Sequence, residues 1–204
     1  ELHATVMAAE DAGTYVMVHV YVPEAIRRAI RAGVKSIEHG QLIDEPTMKL
    51  IAEKGVWLSM QPFIGEGNNH YTNPVQQAKH ELVVQGTDRA YQLAKKYGVK
   101  LAWGTDLLFS PANARNQNLN IEKMTRWFSN FEILKMITHD NAELLALSGR
   151  RNPYPGKLGV IDEGALADLI VVDGNALEDI KVLTDPGKNM LLIMKDGKIY
   201  KNDL

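Results

Sequence analysis

The length, composition and charge of the chain restrict the classes of protein to which it can belong. With 204 residues, 45% of them apolar, the chain can form one large domain or two small ones around a sizeable core. A net charge of −2 with interspersed signs argues against a basic surface for nucleic acid or anionic lipid, so small molecules are the expected partners. The chain has no cysteine, so any metal must be bound by His, Asp or Glu.

The sequence also bears on where the protein works. It contains neither a run of about eighteen apolar residues nor a basic-then-apolar leader. Together with the absence of cysteine, this predicts a cytoplasmic protein that does not enter the membrane.

Most of the chain alternates strand-like apolar runs with amphipathic helical stretches. A helix is predicted over residues 1–13, and in the units that follow proline begins or glycine ends the helix, as at Pro23 and Gly33. The predicted strands lie at 14–20, 34–39, 56–62 and 99–106. The helices after the first three lie at 23–33, 44–54 and 74–97, and several helices are predicted near 121–147. Nearly continuous apolar strands separated by helices are typical of a parallel sheet covered by helices, so the predicted fold class is α/β.

Three polar side chains end three of these predicted strands. His19 and His39 lie 20 residues apart at the ends of the first two strands, and Asp106 ends the fourth. Ligands of parallel α/β folds gather at the carboxyl edge of the sheet, so these side chains are predicted to share one site. Histidine nitrogen and aspartate oxygen are zinc ligands, and a carboxylate can take a proton from an attacking water.

Each of these residues also has a simpler explanation. A single histidine in a strand is more often packed or hydrogen-bonded than bound to metal, and Asp106 could cap the helix that follows. From spacing alone, a shared ligand site and three unrelated strand-end residues stay open as alternatives, and Gly40 after His39 suits a sharp turn of the chain away from such a site. Glu38 is expected to point to the side opposite His39 and to be structural.

From about Gly156 the sequence changes to short β runs separated by glycine. The stretches GKLGVIDEGALADLIVVDGN and NMLLIMKDGKIYKN contain these runs, and Asp196 with Gly197 between apolar residues predicts a hairpin. We therefore predict two domains, residues 1–155 and residues 156–204.

Four stretches of the chain carry a resemblance to a known family. The series VMVHV, SIEHG, LAWGTD and the β-rich tail, in this order, resembles the C-terminal half of a metal-dependent amidohydrolase. The similarity covers nearly the whole chain and is closest to the branch of prolidase-like and imidazolonepropionase-like hydrolases. It implies strands five to eight of a TIM (β/α)8 barrel in residues 1–155 and part of a small β-sandwich domain in residues 156–204.

The resemblance also implies a site. Family members hold one or two divalent metal ions, usually zinc, at the carboxyl ends of the strands. By resemblance, His19 and His39 are metal ligands, and Asp106 is both a metal ligand and the catalytic acid/base. Tyr21, two residues after His19, and His70, in the loop after the third strand, are the candidates for contact with the substrate. The alternatives are an ordinary tyrosine at a sheet edge and a histidine in a solvated loop, and for His70 the solvated loop is favoured.

The function that the resemblance implies is hydrolysis of a carbon–nitrogen bond, in a non-peptide or dipeptide amide, by a metal-activated water. The family's His-x-His pair and metal-binding lysine on earlier strands have no counterpart in this sequence. We therefore expect a partial chain, or one that pairs with a missing N-terminal half or with a second copy in a homo-oligomer. The alternatives are a non-catalytic half-barrel that needs such a partner and a deaminase on the same scaffold.

Overall fold

A computed structural model of the chain describes residues 1–65, 71–107 and 114–204. The described residues divide into two compact units. The first unit comprises Glu1–Gly104 and Leu147–Arg151, and the second comprises Thr105–Ala146 and Asn152–Leu204. The predicted boundary between domains at residues 155 and 156 concerns a different division of the chain and stays a prediction.

The first unit is built from strands and helices that alternate along the chain. Its elements are α1 (Leu2–Asp11), β1 (Met17–Val20), α2 (Pro23–Ala32), β2 (Ser36–His39), α3 (Glu45–Lys54), β3 (Trp57–Met60), α4 (Pro74–Tyr97) and β4 (Leu101–Trp103). The strands form one parallel sheet in the order β1-β2-β3-β4, in which Val20 lies opposite His39 and Met60 opposite Trp103. The predicted α/β organisation of this part of the chain is confirmed.

Local sequence signals explain where these helices begin. Pro23 and Pro46 lie in the first turns of α2 and α3, where a missing backbone N–H costs nothing. The Asp44 side chain caps α3 by accepting the backbone N–H of Thr47 at 2.9 Å, and Asn73 caps α4 in the same way. The helices therefore start close to the predicted positions.

The core of the first unit lies between the sheet and helices α2, α3 and α4. Each fully buried aliphatic side chain there contributes roughly 1.5–3 kcal/mol relative to exposure. Those with no exposed surface are Ile26, Ile37, Met48, Ile51, Leu58 and Met60. Strand β3 is buried along its whole length, as a strand covered on both faces must be.

The second unit combines short helices with an antiparallel sheet. Its elements are α5 (Leu119–Lys123), a 3-10 turn (Met124–Arg126), α6 (Asn130–Lys135), a π turn (Met136–Asp140), α7 (Asn141–Ala146), β5 (Leu169–Val172), a 3-10 turn (Ile180–Leu183), α8 (Pro186–Asn189), β6 (Met190–Lys195) and β7 (Lys198–Asn202). The sheet order is β5-β6-β7, and Asp196 with Gly197 joins β6 to β7 in the predicted hairpin.

Two parts of the second unit can be compared with the sequence expectation. The helices predicted near 121–147 are present as α5, α6 and α7, and Ser129 starts α6 with a capping box in which its side chain and that of Glu132 bond each other's backbone N–H. In the stretch GKLGVIDEGALADLIVVDGN, which begins at Gly156, the structure assigns a strand to Leu169–Val172. Lys157 and Ala165 form an isolated bridge. None of the helices within the described ranges has the length and apolar character needed to cross a membrane.

Candidate active site

Two histidines meet at the carboxyl ends of neighbouring strands in the first unit. His19 is the third residue of β1, and His39 is the last residue of β2. Nδ1 of His19 lies 2.6 Å from Nε2 of His39, and the ring centroids are 4.7 Å apart. The structure therefore brings together two of the three side chains that the sequence predicts as metal ligands.

The contact depends on an unusual backbone conformation at His39. The strand register places His19 opposite Glu38, so regular alternation would direct His39 away from the side that His19 faces. His39 instead has a φ of 81°, and its ring is 2% exposed. A side chain in this left-handed region costs energy, and such strain collects at functional sites.

Gly40 continues this turn. Its φ is +70°, and a Cβ atom at this position would lie 2.7 Å from Cδ1 of the buried Leu58. The conformation therefore favours glycine, and a larger residue would force Leu58 to shift. The expectation that Gly40 turns the chain sharply after His39 is confirmed.

The side chain of Gln61 contacts the other nitrogen of the His39 ring, and Gln41 in turn contacts Gln61. Nδ1 of His39 lies 2.8 Å from Oε1 of Gln61, which follows β3. The same oxygen accepts a hydrogen bond from Nε2 of Gln41 at 3.4 Å. All three side chains are at least nine-tenths buried, so water competes little for these bonds.

The sequence did not predict the role of these two glutamines. Glutamine is an ordinary residue in loops, and neither Gln41 nor Gln61 belongs to a recognisable metal-binding pattern. The available signal was position, because Gln61 follows β3 at the same edge of the sheet at which His39 ends β2.

Tyr21 packs directly on the same imidazole. Its ring is stacked on that of His39 with centroids 4.6 Å apart and an interplanar angle of 6°. Tyr21 and His19, two residues apart, thus both contact His39, as strand alternation predicts. A contact between Tyr21 and the substrate stays a prediction.

Glu38, next to His39 in sequence, has a different partner. Its Oε1 accepts a hydrogen bond from the hydroxyl of Ser36 at 2.7 Å, which fits the structural role expected for it. Burial, and secondarily the negative charge of Glu38, raises the pKa of the Tyr15 hydroxyl above its usual value.

The remaining predicted site residues lie in the second unit or outside the described residues. Asp106 follows β4 in sequence and has a φ of 51°, but it belongs to the second unit and is described by itself. His70 lies outside the described residues. Within residues 1–65, 71–107 and 114–204, no group of three or more His, Asp or Glu side chains is arranged to hold a metal ion.

The geometry of the two histidines fits a shared divalent cation. Their facing nitrogens converge on one small volume, and imidazole nitrogen is a common zinc ligand. Zinc at about 2.0–2.1 Å from each nitrogen, with tetrahedral angles, would separate them by about 3.3 Å. The separation of 2.6 Å is smaller, so binding a cation requires a modest opening of the pair.

Comparison with known proteins identifies the family. A profile of the amidohydrolase family matches residues 1–200. The chain belongs to the amidohydrolase family. This chain is also 33% identical over 205 residues to ochratoxinase from Aspergillus niger. The match covers 98% of this chain and 41% of ochratoxinase.

Solved structures of amidohydrolases and prolidases have folds similar to that of this chain. A crystal structure of an amidohydrolase matches with a TM-score of 0.88 and 36% identity, covering 100% of this chain and 48% of the other. A prolidase complexed with N-methylphosphonate-L-proline matches with a TM-score of 0.86 and 35% identity, covering 99% and 48%. These neighbours agree with the predicted prolidase-like branch, and the chain spans about half the length of the relatives it matches.

Proposed function

We propose that this chain is part of a metal-dependent hydrolase that cleaves carbon–nitrogen amide bonds with an activated water. The observation that carries the proposal is the pair of strand-end histidines whose ring nitrogens face each other at 2.6 Å. Membership of the amidohydrolase family and similarity to ochratoxinase support amide hydrolysis. Similarity to a prolidase supports a dipeptide with a terminal carboxylate as the substrate class.

In this proposal each site residue has a separate task. His19 and His39 hold a divalent cation, zinc by the sequence prediction, through Nδ1 and Nε2 respectively. Such a cation supplies polarisation of a carbonyl group and lowers the pKa of a water. The Asp106 carboxylate takes a proton from the attacking water and returns it to the leaving nitrogen as the C–N bond breaks. Tyr21 and His70 are proposed to contact the substrate.

The proposal includes the architecture that the sequence predicts. The strands β1 to β4 correspond to strands five to eight of a TIM (β/α)8 barrel, and β5 to β7 to part of a small β-sandwich domain. The order and parallel direction of the four strands support this, because a full barrel has eight such strands in about 250 residues. The coverage of 48% of the amidohydrolase neighbour is consistent with half of that barrel.

The catalytic role of Asp106 is tested by Asp106→Asn in the intact protein. The amide can still bind and occupy space, but it cannot take up the proton at neutral pH. We expect turnover of dipeptide substrates to fall by about 10²–10⁴-fold while metal content is retained. Full turnover in this variant would show that another group moves the proton.

Metal content measured by elemental analysis tests the cation site itself. We expect near-stoichiometric metal in the purified intact protein and a clear loss of metal in His39→Ala. Lys54→Ala, on the exposed end of α3, serves as a control that should keep its metal. Equal metal in His39→Ala and the control would remove His39 from the ligand set.

A second candidate function is a structural half that completes a barrel only with a partner. Within the described part of the chain, β1 and β4 are the edge strands of the parallel sheet, and an open edge favours pairing with another chain. This version predicts an oligomer, and a monomer by light scattering would contradict it. A homo-oligomer and a cytoplasmic location stay predictions, and assays with matched amide and amidine substrates separate a hydrolase from a deaminase.

A further inference from the structure

The His39 ring is held at both of its nitrogens, and the two contacts differ in kind. Nε2 faces Nδ1 of His19, whereas Nδ1 faces the side-chain oxygen of Gln61. A carbonyl oxygen can only accept a hydrogen bond. A neutral imidazole that bonds this oxygen must therefore carry its proton on Nδ1, which leaves a lone pair on Nε2.

We propose that Gln61 is a positioning residue that fixes His39 in the Nδ1-protonated form, so that Nε2 is available as a ligand. In solution the neutral histidine side chain favours the opposite form, so a neighbour has to impose this one. The inference deepens the proposed function and rests on it in one respect, namely that the ligand bound by Nε2 is a divalent cation. The protonation of Nδ1 itself does not require that function.

Gln41 strengthens the orientation of the Gln61 amide. Nε2 of Gln41 donates to the same oxygen at 3.4 Å, so the oxygen receives two donors. Reversing the Gln61 amide alone would place an NH₂ group against this second NH₂ group. Gln41 is 1% exposed, and among the described residues its own Oε1 has no hydrogen-bond partner. A buried network with an unsatisfied atom is retained only at a cost in stability, which points to a functional use.

The backbone around Gln41 keeps this donor in place. Gln41 directly follows Gly40, and its carbonyl oxygen packs against Gly86 of α4, where a Cβ atom would come within 2.3 Å of it. Helix α4 therefore lies on the segment that carries Gln41. The arrangement resembles the general pattern in which a carbonyl or carboxylate orients a metal-binding histidine through the nitrogen that does not bind the metal.

The test is to locate the proton on the His39 ring by NMR of the intact protein with ¹⁵N-labelled histidine. Long-range ¹H–¹⁵N correlations distinguish the two forms, and His39→Asn assigns the signals. We expect the proton on Nδ1 both in the protein as purified and after chelator treatment. Finding the proton on Nε2 in the unmodified protein would overturn the inference and would mean that both glutamine amides are reversed.

Two substitutions at Gln61 separate orientation from packing. Gln61→Met keeps most of the volume and removes the acceptor, so the Nε2-protonated form should gain population. Gln61→Glu keeps an acceptor oxygen and should retain the Nδ1-protonated form. An unchanged His39 spectrum in Gln61→Met would overturn the inference, and Gln92→Met, at an exposed position on α4, is the matched control.

Zinc binding measured by titration is the second readout. Loss of such a supporting contact typically weakens metal affinity by about 10–100-fold, so we expect this loss in Gln61→Met and not in Gln92→Met. Unchanged zinc affinity in Gln61→Met would overturn the positioning role. If the unmodified protein binds no zinc while Nδ1 is protonated as expected, the proposed function fails and the assignment of the ring proton stands.

Discussion

His39 and Asp196 both have a positive φ, although His39 ends a strand of the parallel sheet and Asp196 connects two strands of the antiparallel sheet. Asp196 has a φ of 49° and Gly197 a φ of 72°, in the two-residue connection between β6 and β7. A tight antiparallel hairpin demands positive φ at both positions, and Asp-Gly supplies it at little cost. The conformation at Asp196 is therefore explained by local turn chemistry alone.

A hairpin does not explain the conformation at His39. It ends a parallel strand that leads into a helix, and its ring is buried in contact with His19, Tyr21 and Gln61. The same backbone conformation therefore forms a hairpin turn at Asp196 and directs the ring of His39 toward His19. Positive φ at a residue other than glycine points to a function when the local sequence does not already require it.

The largest expected effect comes from separating the imidazole of His39 from its backbone conformation. Asparagine tolerates the left-handed region and valine does not, so His39→Asn should unfold at higher denaturant concentration than His39→Val, by about 1–3 kcal/mol in free energy. Both variants lose the ring, and both should lose roughly a thousandfold in kcat/KM for amide hydrolysis. Asp196→Asn, which keeps a turn-forming residue, should change neither quantity measurably.

Activity assays and denaturant unfolding measure these two quantities in parallel. Retained turnover in His39→Asn would mean that the ring is not needed. Equal stability of the asparagine and valine variants would mean that the positive φ relaxes without cost, and the contrast between His39 and Asp196 would then disappear.

A smaller effect is expected at the glycines that follow these two residues. Gly40 and Gly197 have nearly equal φ values of 70° and 72°, but a Cβ at Gly40 would lie 2.7 Å from Leu58, whereas at Gly197 it would meet nothing within 4 Å. Alanine should cost about 1 kcal/mol at either position for the conformation. At Gly40 crowding against a fully buried leucine should add roughly 1–3 kcal/mol.

Urea unfolding of Gly40→Ala and Gly197→Ala measures this difference directly. The two variants form a matched pair, because the conformational term is nearly the same and only the surroundings differ. Equal losses would show that Leu58 moves aside freely and that the turn after His39 is no more restricted than a surface hairpin.

The features that could be predicted from sequence are those that neighbouring residues determine. Proline at helix starts, apolar runs in strands and the Asp-Gly hairpin all depend on local chemistry, and the structure confirms them. The placing of His19 and His39 at one sheet edge also follows, because parallel strands with helical connections share a carboxyl edge.

Features that depend on contacts between distant residues could not be predicted. The approach of His39 to His19 requires a φ of 81°, which alternation along β2 does not indicate. The bond between His39 and Gln61 joins residues 22 positions apart, and glutamine carries no sequence signature for that task.

The smallest expected effect is a decrease in the free energy of unfolding at low pH. One carboxylate in each unit contributes to it. Hydrogen bonds from Lys96, at 2.7 Å, and from Tyr97 lower the pKa of Glu45 on α3 to about 2. The backbone N–H of Asp196, and then Lys195, lowers the pKa of Asp168 before β5. Glu45 thus connects α3 to α4, and Asp168 connects the residue before β5 to the end of β6 and the hairpin turn.

The sign of the effect follows from the direction of these shifts. A carboxyl group whose pKa is lower in the folded state stabilises the fold above its unfolded pKa, and this contribution is lost as the pH falls through the folded value. For Glu45 the window runs from pH 4.5 down to about 2, so the free energy of unfolding should fall less steeply across it in Glu45→Gln. Asp168→Asn should flatten the same curve below pH 3.8.

Thermal unfolding between pH 5 and 2 measures both slopes, and added salt provides the control. Both carboxylates bond an amine or a backbone N–H near the surface, where screening keeps the contribution of an ion pair small. The part that depends on Lys96 should therefore shrink in 1 M salt, whereas the part of Asp168 that depends on the Asp196 N–H should persist. If the two variants respond equally to salt, Asp168 stabilises the hairpin mainly through the charge of Lys195, as Glu45 stabilises the contact between α3 and α4 through Lys96. The hydrogen bond from the backbone N–H of Asp196 would then contribute little.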